Sequence, residues 1–240
     1  MPVSITLSAS SDHRWVLSHY APGEVCRAHR HAEAQTSLLL AGDYVEESLE
    51  GVVRVEGPHL SRKPSLFEHQ DQFGDVGALI LSVRGADAIA GPARYGLAAC
   101  GSREAGRAAL AVAATGREAP LARLSATSFD RSGDTPASWL LEARTRLVGA
   151  PAEPIASVSR GLGRHPVAFA RAFRSAYGRS PARYRHDWRV AGAIERIVRS
   201  AAALADIAAD TGFADQAHMT RAVRRASGWS PGALRRLFTR

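Results

Sequence analysis

Leu204-Ala205-Asp206-Ile207-Ala208-Ala209-Asp210-Thr211-Gly212-Phe213-Ala214-Asp215-Gln216-Ala217-His218-Met219-Thr220-Arg221 reads as two helices around a tight turn. Gly212 closes the first helix and Asp215 is a natural N-cap, so the second begins at Gln216. The stretch has an earlier counterpart. Ile155-Ala156 opens a segment that runs through Gly161-Leu162-Gly163, Phe169, Arg171, Phe173-Arg174 and Tyr177-Gly178 to Ser180-Pro181. Met219, Arg221, Val223, Gly228 and Pro231 each lie 50 residues beyond their partners in that segment. A short helix, a glycine turn and a second helix, occurring twice, predicts a tandem helix-turn-helix. Trp188, Ala191, Ile194 and Val198 at helical spacing predict one long helix over Arg183–Ser200 that holds the two copies in a fixed relation.

The faces of the second helices assign roles. Met219 and Val223, four apart, point to a core, which turns Gln216, Ala217, Thr220 and Arg221 outward. Gln pairs bidentately with adenine and Arg with guanine, while Ala217 and Thr220 suit a thymine methyl. In the first copy His165 stands at the cap and Pro166 at the first helical position. Phe169 and Phe173 face inward there and leave Val167, Ala170 and Arg171 outward, a surface with less base-reading chemistry. Arg164, Arg174, Arg179, Arg224, Arg225, Arg235 and Arg236 are assigned to phosphates, where charge matters and sequence does not.

Charge supports the assignment. The chain has 240 residues, 31 Lys+Arg and 23 Asp+Glu, a formal charge of +8. Residues 1–130 hold 12 basic and 15 acidic side chains, a net of −3; residues 131–240 hold 19 and 8, a net of +11. An anionic partner for the C-terminal half, double-stranded DNA, follows from this split. All the basic residues except Lys63 are arginine. Cys26 and Cys100 are too few for a disulfide scaffold, and no apolar run approaches the roughly 20 residues of a membrane span. A cytoplasmic chain without secretory signal or membrane anchor is the expectation.

The Leu204–Arg221 stretch with Gly228-Trp229-Ser230-Pro231 strongly resembles the C-terminal signature of AraC/XylS-family transcriptional regulators, over roughly Pro136 to Arg240. The resemblance implies two units entering successive major-groove segments on one DNA face, about 34 Å apart. It places the reading residues at Val167, Ala170, Arg171, Gln216, Ala217, Thr220 and Arg221, in agreement with periodicity. Met219 and Val223 depart from it, standing where aromatics are usual.

The N-terminal half reads as short strands between Gly and Pro turns: Arg14–Tyr20, Thr36–Ala41, Tyr44–Leu49 after a turn at Gly42-Asp43, Gly51–Glu56 and Gly77–Val83. This predicts an antiparallel sandwich or small barrel. Gly23, His29-Arg30-His31, Gln35 and Gly42, followed by Pro64, Leu66 and His69, resemble the two motifs of a cupin barrel, with Gln35 replacing the usual Glu and Leu66 the usual Gly. Two histidines at i and i+2 on a strand share a face. With His69 from a facing strand they suit a divalent metal such as zinc, nickel or iron. Gln35 is a weaker oxygen ligand, and Glu33 would substitute for it if the strand ran on straight. Cys26 is expected on the opposite face. His13, His19 and His59 are read as ordinary surface or partly buried histidines, and His186 and His218 as packing or phosphate contacts.

The expectation is a two-domain α+β protein, an N-terminal antiparallel β-barrel (cupin-like) joined to a C-terminal all-α tandem helix-turn-helix domain. Its boundaries are read as 1–86 for the barrel, 87–134 for a helical segment and linker, and 135–240 for the DNA-binding domain. Tyr95–Thr115 is read as helical and as a candidate homodimerisation element, Arg117–Leu124 as a short helix, and Trp139, Leu140, Ala143 and Leu147 as one stripe of a helix from Pro136 to Gly149. The function expected is a one-component regulator that binds a small-molecule or metal effector, with RNA polymerase as a further partner and no catalytic residues. The competing readings are a cupin-type metal-dependent enzyme with an appended DNA-binding domain, and an architectural DNA binder without sequence preference.

Overall fold

The computed structural model describes residues 2–9, 13–85, 95–117, 119–122, 124, 136–150 and 152–239. Part of the linker read between Thr115 and Gly133 lies outside these residues. The N-terminal part is an eight-stranded, wholly antiparallel sheet: β1 (Val3–Ala9), β2 (His13–Tyr20), β3 (Val25–Arg30), β4 (Gln35–Ser48), β5 (Gly51–Glu56), β6 (His59–Lys63), β7 (Glu68–Gly85) and β8 (Gly96–Ala99). Helices follow: α1 (Ser102–Thr115), α2 (Ala119–Ala122), α3 (Ser138–Gly149), α4 (Ile155–Gly161), α5 (Pro166–Tyr177), α6 (Pro181–Arg199), α7 (Leu204–Asp210), α8 (Gln216–Ser227) and α9 (Pro231–Phe238). The α+β class holds.

Two long strands organise the sheet. β4 runs along β7 from Gln35 opposite Arg84 to Ser48 opposite His69. Beyond β4 lie β6, Leu38 against Leu60, and β5, Tyr44 against Val55. On its other side β7 carries β2 (Leu17 against Leu81) and β3 (His29 against His69). The sequence reading put a turn at Gly42-Asp43, but β4 passes straight through it. Gly42 takes φ 93° within a register shift, and a Cβ there would collide with the backbone of Gly77 and Ala78. A bend inside a strand, paid for by a left-handed glycine, takes the place of a hairpin.

A second correction concerns Tyr95–Thr115. Gly96–Ala99 is a strand on β6, His59 opposite Ala99, and only Ser102–Thr115 is helical. Gly-Leu-Ala-Ala has helical composition, but an open edge of β6 pairs with it; tertiary pairing outweighs local propensity.

The chain divides into two compact units, Met1–Arg131 with Val190–Arg240, and Ser132–Arg189. In the first unit the sheet buries Trp15, Leu17, Leu38, Leu40, Leu60, Leu79, Leu81 and Val83 in one core with Ala105, Ala109 and Val112 of α1 and with Ile207, Phe213, Met219, Val223, Leu234 and Phe238 of α7–α9. The second helix-turn-helix is thus built into the unit that holds the sheet. Trp15 Nε1 donates to the Gly116 carbonyl at 3.1 Å, tying β2 to the end of α1. The other sheet face buries Leu39, Tyr44, Val55, Phe73, Ala78 and Ile80. In the second unit α3–α5 and the start of α6 enclose Leu140, Ala143, Leu147, Val158, Phe169, Phe173 and Tyr184, the stripe read for α3 included.

Candidate DNA interface and effector pocket

α8 is formed as its sequence dictates. Asp215 caps it by accepting from the His218 N–H at 2.6 Å, and Gly228 ends it in the left-handed region at φ 93°. Met219 and Val223 are fully buried, while Gln216, Ala217 and Arg221 are exposed and Thr220 is half-buried. The back of the helix rests on α1 with almost nothing between the two backbones. A Cβ on Gly106 would lie 2.5 Å from the Arg225 carbonyl oxygen and 3.0 Å from that of Ala226. α1, read as a candidate dimerisation element, therefore spends the face carrying Ala105, Gly106, Ala109 and Val112 inside its own unit.

α5 matches α8 with Phe169 and Phe173 buried and Val167 and Arg171 exposed. Its cap is poorer: Pro166 opens the helix, and His165 makes no side-chain cap bond. Several of the arginines assigned to phosphates have protein partners. Arg164 lies 4.6 Å over the Trp139 ring, Arg179 pairs with Asp187 at 3.1 Å, and Arg235 donates to the carbonyls of Ile197 and Ala202 at 3.2 and 2.7 Å. Arg235 closes the C-terminus of α6, a structural duty. Arg171, Arg174, Arg221, Arg224, Arg225 and Arg236 stand on exposed positions.

Arg185, absent from the sequence reading, does for α3 what Arg235 does for α6. It donates to the carbonyls of Leu147 and Glu153 at 3.2 and 2.6 Å, and burial pushes its pKa down. Its counterpart 50 positions on is Arg235, so the repeat itself was the available signal.

In the sheet, register assembles a polar platform. His29, His69 and Ser48 lie side by side across β3, β7 and β4; Cys26, Asp71 and Glu46 form the next row. The nitrogens of His29, His31 and His69 lie within 4.8 Å of one another, and so do ligand atoms of Glu46, His69 and Asp71. His29 Nδ1 faces the Arg27 carbonyl at 2.8 Å and His69 Nδ1 that of Phe67 at 3.3 Å. Donation from both Nδ1 atoms leaves the Nε2 lone pairs for a ligand, and the carbonyls that accept fix the orientation of the rings as they do for metal-binding histidines. Burial, with the Lys63 charge adding to it, lowers the His69 pKa to about 4, so its ring is neutral at pH 7. Burial raises Asp71 to about 6.

Two sequence expectations change here. The bulge between Cys26 and His29 restores both to one face, so Cys26 lies opposite Asp71 rather than pointing away; burial raises its thiol pKa. β3 ends at Arg30, so Glu33 is in an exposed loop and does not continue the histidine row. Gln35 is buried, but its Nε2 donates to Ser37 Oγ at 2.7 Å and its Oε1 has no hydrogen-bond partner. The sequence reading missed Lys63, Glu46 and Asp71. Lys63 Nζ meets Glu46 Oε2 at 2.5 Å with both side chains almost wholly buried. A sole lysine among thirty arginines was the signal available for it.

His19 was read as an ordinary histidine; it is buried, and Arg199 Nε donates to its Nδ1 at 3.1 Å while Arg199 Nη2 reaches the His19 carbonyl at 3.2 Å. Glu24 lies 4.0 Å from the same guanidinium. Burial, then the Arg199 charge, lower the His19 pKa from 6.5 to about 3. The unfolded chain therefore binds a proton that the folded unit refuses between these values. Stability contributed by neutral His19 is complete above pH 6.5 and is lost as pH falls toward 3. Thermal melts of His19→Asn, which keeps an acceptor for Arg199 but cannot titrate, are expected to depend less on pH across that window than wild type; parallel profiles would refute the assignment.

Comparison with known proteins bears on the helical part. Residues 158–237 match the family described as helix-turn-helix domain. The comparison with curated proteins returned no match. Among solved structures, the chain is similar to ToxT from Vibrio cholerae (10% identity, covering 96% of this chain and 100% of that one, TM-score 0.40). It is also similar to the C-terminal domain of AraT, a response regulator from Geobacillus stearothermophilus (24%, 45% and 89%, TM-score 0.41). A cupin superfamily protein from Desulfitobacterium hafniense gives 17%, 36% and 79% with TM-score 0.34. Scores this low assign no mechanism. The doubled motif, the Asp215-capped α8 with its outward polar face and the family match show that residues 158–237 form a helix-turn-helix domain of the AraC type, which supports a DNA-binding transcriptional regulator.

Proposed function

We propose that the chain is a one-component regulator that reads duplex DNA through α5 and α8 and responds to an effector held in the polar pocket of its sheet. The observation that carries the proposal is the seating of α8: its back is packed on the sensor half, while Gln216, Ala217 and Arg221 stay exposed. Base readout comes from these residues with Thr220, and from Val167, Ala170 and Arg171 of α5; Arg174, Arg224 and Arg225 serve phosphates, as does Arg164 from its place over Trp139.

The polar cluster fits a divalent metal at His29, His31 and His69, since imidazole is a ligand that zinc, nickel or iron accept and the Nδ1 atoms of His29 and His69 are already turned to backbone carbonyls. When bound, the ion supplies a Lewis-acid point for an oxygen- or nitrogen-bearing effector. Tyr20 stacks on Phe73 at 4.0 Å, two residues along β7 from Asp71, and its neighbour His19 holds Arg199 at the end of α6. An effector that favours one position of Tyr20 would bias how α7–α9 dock, provided it binds the two arrangements with different affinity.

Gel shifts of promoter fragments against random duplex, over a series of salt concentrations, test the proposal. Specific complexes that survive excess random duplex and weaken steeply with salt are expected. Equal competition by random duplex would leave only an architectural binder. The histidine cluster favours one further reading, a metal-dependent enzyme, which requires turnover that His29→Ala and His31→Ala abolish.

A further inference from the structure

We propose that Asp71, and not Gln35, supplies the oxygen ligand of the metal centre formed with His29, His31 and His69, an inference that rests on the metal reading above. Asp71 and His69 lie two apart on β7 and share a face, with His29 across from His69. Asp71 Oδ2 lies 3.6 Å from His69 Nε2. Two ligands on one tetrahedral ion, each bonded at 2.0–2.1 Å, are about 3.3 Å apart, so the observed spacing suits a shared ion. The other Asp71 oxygen, Oδ1, is buried without a hydrogen-bond partner, as are Glu46 Oε1 and Gln35 Oε1, so position and charge decide among the three.

The alternatives on the platform are less well placed. Glu46, across β4 from Asp71, has its charge answered by Lys63 at 2.5 Å. Gln35 begins β4 opposite Arg84, whereas His69 lies opposite Ser48 at the other end of that strand, and the Gln35 amide is given to Ser37. Moreover, a neutral amide oxygen is a poorer ligand than a carboxylate for a borderline divalent ion. The proposed ligand set is three imidazoles and one aspartate, Asp71 joining the His29–His31–His69 cluster through His69, the residue that the two clusters share.

Cobalt(II) is the probe, added to the metal-stripped full-length chain, with far-UV circular dichroism and DNA binding as controls for folding. The expected result is one equivalent bound by wild type, affinity lowered at least about tenfold in His29→Ala and Asp71→Asn, and a change below about threefold in Gln35→Ala. Asp71→Cys is expected to create a thiolate-to-cobalt charge-transfer absorption that wild type, despite Cys26, does not show; this gained signal carries the test if Asp71→Asn fails to fold. Wild-type affinity in Asp71→Asn, no thiolate band in Asp71→Cys, a thiolate band in wild type, or loss of binding in Gln35→Ala each overturns the Asp71 assignment. Failure of wild type to bind cobalt, zinc or nickel overturns the metal reading as well, so the two failures are distinguishable.

Discussion

Replacing Arg221 by alanine is expected to cost about 1–3 kcal/mol of affinity for the specific operator, and adding Gln216→Ala a similar amount again. Both residues sit in the first two turns of α8 on exposed positions, on a helix whose Asp215 cap and buried Met219 and Val223 leave no freedom of rotation. The two losses differ in kind. Gln216 carries no charge, so its removal should leave random-duplex binding and the salt slope unchanged. Arg221 is charged, and its removal should weaken both duplexes somewhat and reduce the salt slope by about 1 if it also neutralises a phosphate. Binding isotherms on specific and random duplex at three salt concentrations separate these contributions. Unchanged discrimination in the double variant would remove α8 from base readout.

Phe173→Ala is expected to cost about 3–5 kcal/mol. Phe173 is fully buried at the centre of the Ser132–Arg189 unit, with Phe169, Tyr177 and Tyr184 rings at 5.8, 4.5 and 5.4 Å. Domains have about 0.05–0.15 kcal/mol of stability per residue, so the loss is comparable with the whole stability of so small a unit. The other unit has its own core and should persist. The expected melt has an early transition that takes the first helix-turn-helix, and proteolysis should cut within Ser132–Arg189 while the sheet with α7–α9 resists. DNA contacts of α5 should vanish and those of α8 remain. A single transition shifted as a whole would show that the units unfold together.

The helical half was legible because its determinants are local. The 50-residue offset, the Gly178 and Gly228 ends, the Asp215 cap and the apolar spacing all lie within a few residues of what they specify. The sheet was less legible because its determinants are distant. β3 is largely exposed and takes its place from β7, and β8 is a strand only because β6 offers an edge. The same distance explains the site. His29 and His31 announce themselves by spacing, but the side of the sheet on which Cys26 falls depends on one bulge. Asp71 stands two residues from His69, a spacing as readable as that of the histidine pair, yet its rank over Gln35 emerges only with Ser37 and Lys63 in place. For Arg179 and Arg235, surface phosphate contacts and internal pairing look alike until Asp187 and the end of α6 are present.

The glycine contact between α1 and α8 separates two properties that proteins often have to alter together. Because α8 approaches α1 main chain to main chain at Gly106, the exposed residues Gln216, Ala217 and Arg221 lie away from the contact that seats the helix. Mutations at Gln216, Ala217 and Arg221 can therefore wander through sequence space without disturbing the fold. A lineage could acquire new operators by changing these letters alone, with the angle of presentation inherited unchanged.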